Sequence, residues 1–316
     1  MSELPDVALT RLSDALARPP LPLRYVLHEV IGRGGMGVVW RAHDRQLERD
    51  VAIKVLAEHV DSGPVAERLQ REARILARLE HPGIVAVHDS GLLNDGRPWY
   101  SMRLVRGVSL ETAAASFTTV GEAMRVMLAL IDTIAFAHSA GVLHRDLTPR
   151  NVMLGPFGEV LVLDWGVAWD SATVGSQDAP TGRLAAGADT GHGTVLGTPG
   201  FMPPEQAAGL PADERSDVYG LGAVLRYLID AQPVTAPAPL LAIRDRAMAP
   251  DPAARYSTAK ELKADLTRCL DGDRVLAYRE RLGEAIIRLS RPYRTLILLV
   301  LAYLVMRVAV LWWRGI

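Results

Sequence analysis

Hydrophobic and polar positions divide the chain into two differently patterned parts. From Tyr25, two apolar blocks, YVLHEVI and VVWRA, flank a glycine-rich stretch, the arrangement of a β-hairpin. In DVAIKVL, Val51, Ile53 and Val55 take every second position and predict a third strand. The period changes in AERLQREARILARLE, where Leu69, Glu72, Leu76 and Leu79 fall on one face of a helix. GIVAVHDSGLL and RPWYSMRLV read as two further strands. From Ser109 onward helical periodicity dominates, in TVGEAMRVMLALIDTIAFAHSAG, SDVYGLGAVLRYLID and STAKELKADLTRCL. A small strand-rich lobe followed by a larger helical one predicts an α+β fold in two lobes. The implied divisions are an N-terminal arm over 1–23, a small lobe over 24–104, a large lobe over 105–272, and a basic segment over 273–294. The stretch 170–197, rich in Gly, Ala, Ser and Thr, is expected to be the least ordered.

A different pattern closes the sequence. TLILLVLAYLVMRVAVLWW, residues 295–313, carries one charge, Arg307. As a helix it reaches about 28 Å, enough for a bilayer core. Arg288, Arg291 and Arg294 precede it, and Trp312, Trp313 and Arg314 follow, so a basic flank and an aromatic belt bracket the run. The reading is a single transmembrane helix. Arg307 leaves two alternatives open, a helix lying in the interface and one paired with a partner helix, because a mid-membrane arginine costs roughly 2.5–3.5 kcal/mol. A buried helix of a soluble domain is the remaining reading.

Charge and cysteine content narrow the function classes. A formal net charge of -1 over 316 residues, with no basic stripe, gives no electrostatic reason to expect a nucleic-acid partner. The single Cys269 excludes an intrachain disulfide framework and sits in LTRCLDGD without an activating partner, so it is not read as a nucleophile. The first residues contain no apolar run after a basic start and are not read as a secretory signal.

Three stretches carry chemistry. GRGGMGVV places Gly32, Gly34, Gly37 and Val39 in G-x-G-x-x-G-x-V, with a strand rather than a helix following, which favours a flap of backbone N–H groups over phosphates. VAIK ends on Lys54, a charge on an apolar strand that needs phosphate oxygens or a carboxylate. Glu72, beside Leu69, Ile75 and Leu76, is the candidate carboxylate. HRDLTPRN supplies Asp146 and Asn151, and LVLDWG supplies Asp164. Two carboxylates and an amide suit metal-nucleotide chemistry: Asn151 and Asp164 hold Mg2+, and Asp146 accepts a hydroxyl proton.

In this order, GRGGMGVVWRAHD, DVAIKV, EHPGIVAVHD, HRDL, NVML, GTPGFMPPEQ, SDVYGLG and DPAARY resemble the motifs of eukaryotic-like bacterial Ser/Thr protein kinases, over about four-fifths of the chain. The resemblance implies a bilobal protein-kinase fold with ATP between the lobes and Mg2+, replaceable by Mn2+, as the metal. It implies nucleotide contacts from Ile31, Gly32, Arg33, Gly34, Gly35, Met36, Gly37, Val38, Val39, Ala52 and Lys54, with Met102 behind adenine and backbone bonds from Arg103 and Val105. Lys54 and Glu72 become the activating ion pair, Glu205 and Arg255 a brace of the large lobe, and Asp217 the holder of the catalytic-loop backbone. Protein substrates follow, with a homodimer as the form that would autophosphorylate in trans. Thr190 and Thr194 are the expected phosphosites, on a loop whose phosphate would pair with Arg145. A kinase domain needing ATP places itself in the cytoplasm, anchored to the inner (cytoplasmic) membrane by the 295–313 helix, with the arginines on the kinase side.

Four departures bear on activity. DWG brings Trp165 in place of Phe, a residue able to fill an apolar slot, and PPE keeps the essential Glu205. The stretch between LRYLID and DPAARY is short and Pro-rich where related kinases carry a substrate-docking helix. Thr148 stands where a lysine is expected, and Arg150, placed as in the AARN loop of receptor tyrosine kinases, is read as the displaced catalytic cation. A pseudokinase or partner-binding scaffold is the alternative reading, and a small-molecule kinase of related fold is a third.

Overall fold

A computed structural model of the chain describes residues 18–34, 37–57, 62–165, 169–170, 200–233, 235–290, 293–313 and 315. Strands β1 (Tyr25–Gly34), β2 (Gly37–Asp44), β3 (Arg49–Leu56), β4 (Val87–Leu92) and β5 (Pro98–Arg103) form an antiparallel sheet in the order β1-β2-β3-β5-β4. Alternation along β3 sorts its residues between two layers. Val51, Ile53 and Val55 join Leu27, Trp40 and Trp99 on one face, where Tyr25 meets Trp99 edge to face at 5.5 Å. The other face receives α1 (Ser62–Arg78), which buries Leu69, Ile75 and Leu76 together with the charged Glu72.

The second lobe begins with β6 (Val108–Ser109) and α2 (Leu110–Ala113) and is built around α3 (Val120–Ser139). Thr119 caps α3 by accepting the Glu122 N–H at 3.2 Å, while Glu122 reaches back to the Thr118 N–H at 2.8 Å. Met124, Met127, Leu130, Ile131 and Ile134 of α3 are fully buried, so the helix runs through the core rather than along it. The short strands β7 (Val142–Leu143), β8 (Val152–Leu154), β9 (Val160–Val162) and β10 (Trp169–Asp170) follow. They pair as β6-β8-β9 and β7-β10. Then come α4 (Pro204–Ala207), α5 (Glu214–Asp230), α6 (Ala238–Ala247) and α7 (Ala259–Asp271). Helix α6 buries Leu240, Ile243 and Ala247 and belongs to the core, and no helix lies between α5 and α6 among the described residues.

Two buried charges fasten this lobe. Arg255 forks onto Glu205 at 2.7 and 2.8 Å and donates its remaining N–H groups to the carbonyls of Arg215, Pro250 and Ala249. Asp265, fully buried on α7, accepts the N–H groups of Leu276 and Ala277 at 2.7 and 2.9 Å and the Tyr256 hydroxyl at 2.9 Å. With Val275 also buried, the packed body extends to Tyr278.

Helices α8 (Leu282–Ser290) and α9 (Arg294–Trp313) complete the described chain. No single helix among the described residues is long and apolar enough to cross a membrane. Leu282–Ser290 and Thr295–Val310 meet that standard only as a pair bent by 91°. Helix α9 is apolar around its circumference apart from Arg307, and Leu296, Leu299, Val305 and Val308 are each at least 59% exposed.

The Glu205–Arg255 pair sets a stability expectation. Burial pushes the Glu205 carboxyl up, but Arg255 and the Ser216 hydroxyl outweigh it and hold it below the ordinary 4.5. The pair's contribution is therefore complete above that pH and is lost as pH falls through the lower folded value. Arg255→Ala should cost about 3–5 kcal/mol at neutral pH, measured by urea denaturation, because it strands a buried carboxylate. A loss under about 1 kcal/mol would show that the brace is dispensable.

Candidate active site

The sheet and α1 converge on one ammonium group. Register sets Lys54 on β3 opposite Tyr100 on β5. From these neighbouring positions, Lys54 Nζ reaches both Glu72 carboxylate oxygens at 2.8 Å, and Tyr100 OH donates to Glu72 Oε1 at 3.0 Å. Asp164 Oδ1 lies 3.3 Å from the same Nζ. Exposure is 12% for the Lys54 side chain, 1% for Glu72 and 48% for Asp164. Burial opposes the Lys54 charge, yet Glu72 and Asp164 together raise its pKa above the ordinary lysine value. Burial, followed by the Glu72 charge, holds the Tyr100 phenol well above its usual range, so it stays a donor.

The loop bearing Asp146 is held from beneath by Asp217. That carboxylate, 2% exposed, takes the N–H groups of His144 and Arg145 at 2.8 and 2.7 Å and His138 Nε2 at 2.8 Å. Burial raises its pKa, but His138 and the other charges and donors around it prevail and keep it low. Arg145 adopts φ 67° and Asp164 adopts φ 60°, so two residues in the left-handed region bracket the site under strain. Asn151 Nδ2 donates to the Asp146 carbonyl at 2.9 Å. The Leu163 N–H donates to the Asn151 carbonyl at 2.7 Å, and His144 Nε2 to the Leu163 carbonyl at 3.0 Å. These bonds stitch the loop to β9 and bring Asp146, Asn151 and Asp164 to one place. Trp165, 1% exposed, packs edge to face on His144 at 4.7 Å and donates Nε1 to the Val162 carbonyl at 3.2 Å. Burial, with Asp164 nearby, raises the Asp146 carboxyl above its ordinary value.

The glycine-rich hairpin closes through Gly34 opposite Gly37. A Cβ on Gly37 would overlap the Val55 carbonyl of β3, so close strand packing demands this glycine. Ile31 is half exposed, while Val38 and Val39 lie across from Val55 and Lys54. Gly35 and Met36 lie outside the described residues, as do Thr190 and Thr194. Ala52 sits directly opposite Met102, and the Arg103 N–H is given to the Ala86 carbonyl at 3.0 Å. Thr148 is buried. Arg150 is exposed, and its Nε donates to both Glu111 oxygens at 2.9 Å.

A lysine–glutamate pair over a loop of Asp, Asn and Asp, between a strand-rich lobe and a helical one, agrees with comparisons to known proteins. The family model described as "Protein kinase domain" matches residues 25–271. The chain belongs to the protein kinase family. Serine/threonine-protein kinase PknD of Chlamydia pneumoniae is 33% identical over 293 residues, which cover 79% of this chain and 31% of PknD. PknD of Chlamydia felis is 34% identical over 294 residues, with the same coverage. This kinase chain thus spans about a third of the length of the curated relatives it matches. A crystal structure of the Mycobacterium tuberculosis PknI kinase domain superimposes with a TM-score of 0.58 at 26% identity, covering 78% of this chain and 96% of that one.

A kinase fold implies ATP and a divalent metal, and the donor set fits both. With Asn151 Nδ2 engaged by the Asp146 carbonyl, its Oδ1 is left as an oxygen that could accept a metal, as is the half-exposed Asp164 carboxylate. Among the described residues, no three His, Cys, Asp or Glu side chains cluster to cage a metal on their own. One or two protein oxygens completed by phosphates is the usual Mg2+ arrangement. Tyr100 and Glu111 are site residues that sequence motifs do not reveal. Strand register was the available signal for Tyr100, since it shares a sheet face with Lys54.

Lys54→Met should lower phosphotransfer to background. It should also cost about 3–5 kcal/mol of stability by denaturant titration, because Glu72 is left buried with only Tyr100 for a partner. Tyr100→Phe should cost about 1 kcal/mol and leave activity measurable. A fully stable Lys54→Met protein would show that the ion pair is not a structural element.

Proposed function

We propose that this chain is a membrane-tethered kinase that transfers the γ-phosphate of ATP to Ser or Thr hydroxyls of proteins, including its own activation loop. The observation that carries this reading is the joint placement of Lys54, Glu72 and Asp164 at 2.8 and 3.3 Å, above a loop that also holds Asp146 and Asn151. The hydroxyl class comes from the relatives named serine/threonine-protein kinases. Protein substrates fit that class, and a homodimer would let one copy phosphorylate another.

Bound ATP with its metal supplies the phosphoryl group and neutralises part of its charge. Lys54 holds phosphate oxygens and is kept in place by Glu72. Asn151 Oδ1 and the Asp164 carboxylate would hold the metal, and Asp146 would accept the proton of the attacking hydroxyl. The glycine-rich hairpin would cover the phosphates. Ala52 would contact adenine with Met102 behind it, and with the Arg103 N–H already used, the Arg103 carbonyl and the Val105 backbone would be its hydrogen-bonding edge. We assign α9 to the inner membrane, with the catalytic domain on the cytoplasmic side, because its apolar surface is exposed and arginines precede it.

Asp146→Asn should abolish incorporation of labelled phosphate from ATP, both into a protein substrate and into the segment 166–203 read by mass spectrometry. Wild-type protein that labels neither would favour the pseudokinase alternative. Arg150 and Glu111 separate two roles for the displaced cation. If Arg150 stabilises the transferring phosphate, Arg150→Ala should cut kcat by about 10²–10³ with little change in KM for ATP, whereas Glu111→Ala should leave turnover near wild type. Equal, small effects of both changes would reduce the pair to a surface ion pair.

A further inference from the structure

Helix α8 is amphipathic with its faces reversed. Leu282, Ile286 and Leu289 fall on one side and are 87%, 67% and 63% exposed. Its charged side chains engage the protein instead. Glu284 accepts the Tyr278 hydroxyl at 3.1 Å and the Arg281 N–H at 2.9 Å, and Arg288 forks onto Glu280 at 2.9 and 3.1 Å. A helix on a water-soluble body buries its apolar stripe and turns its charges outward. Here Arg288 packs on Glu280 of the preceding segment, the exposed Glu284 bonds to Tyr278 and Arg281, and the apolar stripe faces away.

We infer that this stripe docks on an anionic lipid surface, with α8 lying in the headgroup plane; the inference deepens the membrane-tether reading and rests on it. Charge favours a bilayer over a second protein as the occupant. Residues 273–294 contain six arginines against Asp273, Glu280 and Glu284. Glu280 and Glu284 already have partners within the same stretch, so the segment as a whole presents positive charge. Continuity favours it as well. Tyr293, 61% exposed, stands between the stripe and the mostly apolar α9, and an amphipathic ring suits the headgroup level. The 91° bend between the two helices, which meet the length and composition of a span only together, suits α8 in the membrane plane with α9 turned into the bilayer.

The test uses the full chain in phosphatidylglycerol-containing vesicles. Cys269→Ser removes the only cysteine, and single cysteines at Ile286, Leu289, Leu301 or the highly exposed Phe157 then carry a polarity-sensitive fluorophore. Labels at 286 and 289 should shift to the blue and lose most of their emission to a headgroup-level nitroxide lipid, and the label at 157 should do neither. Changing Arg279 and Arg281 to Gln should weaken the quenching at 286 and 289 in anionic vesicles and leave it unchanged in zwitterionic ones. Water-like emission at 286 and 289 while 301 is quenched overturns the inference and leaves the anchor standing. Blue-shifted labels that lipid nitroxide cannot quench also overturn it, because a protein surface then covers the stripe. Failure at 301 alone removes the span and keeps the docking helix, and failure at all three removes both.

Discussion

A lysine with 12% of its side chain exposed keeps its charge only where carboxylates replace the lost water, and the small lobe is organised around that requirement. Glu72 comes from α1, Lys54 from β3 and the supporting hydroxyl from Tyr100 on β5, so the pair exists only when helix and sheet are docked in register. Asp164, on the segment after β9, adds a second carboxylate from the other lobe. One ammonium group therefore reports on the helix, the sheet and the catalytic loop together. Any rotation of α1 that withdraws Glu72 leaves the buried Lys54 ammonium with Asp164 as its remaining carboxylate.

The large lobe solves the matching problem with a carboxylate among donors. Asp217 organises backbone N–H groups that a tight loop cannot pair within itself, and its low pKa lets it do so as an anion. The strained φ values of Arg145 and Asp164 persist because bonds from both sides over-determine them. Trp165 anchors the segment after β9 through its ring and its Nε1, so the larger aromatic is accommodated without exposing it.

Residues whose roles depend on short local spacing were legible in the sequence. Lys54 on an alternating strand, Asp146 with Asn151 five positions on, and Asp164 after an apolar run each carry their own context. Long-range partners that belong to a recognised motif, such as Glu205 and Arg255, were named through the family resemblance, and those outside the motifs were not. Glu111 meets Arg150 across 39 positions, and Tyr100 meets Glu72 across 28, with nothing in either local pattern to announce the pairing. The two-residue strands β6, β7 and β10 are too short to show a period. In the basic segment over 273–294, arginines dominate the charged residues and draw attention from the apolar spacing of α8.

Asp265 looks like an ordinary polar residue of an amphipathic helix, yet it ties the chain down as far as Ala277. Between Tyr278 and α8 there are only three residues, a leash of about 11 Å when fully stretched. With α8 docked on a membrane as proposed, a catalytic cleft on so short a leash would sweep a thin layer rather than a volume. Hydroxyls carried within that layer would meet it at high effective concentration, while the same hydroxyls on a distant loop or in bulk solution would fall outside its reach. Height above that surface would then act as a filter on substrates, imposed by one buried carboxylate before any side chain in the cleft reads their sequence.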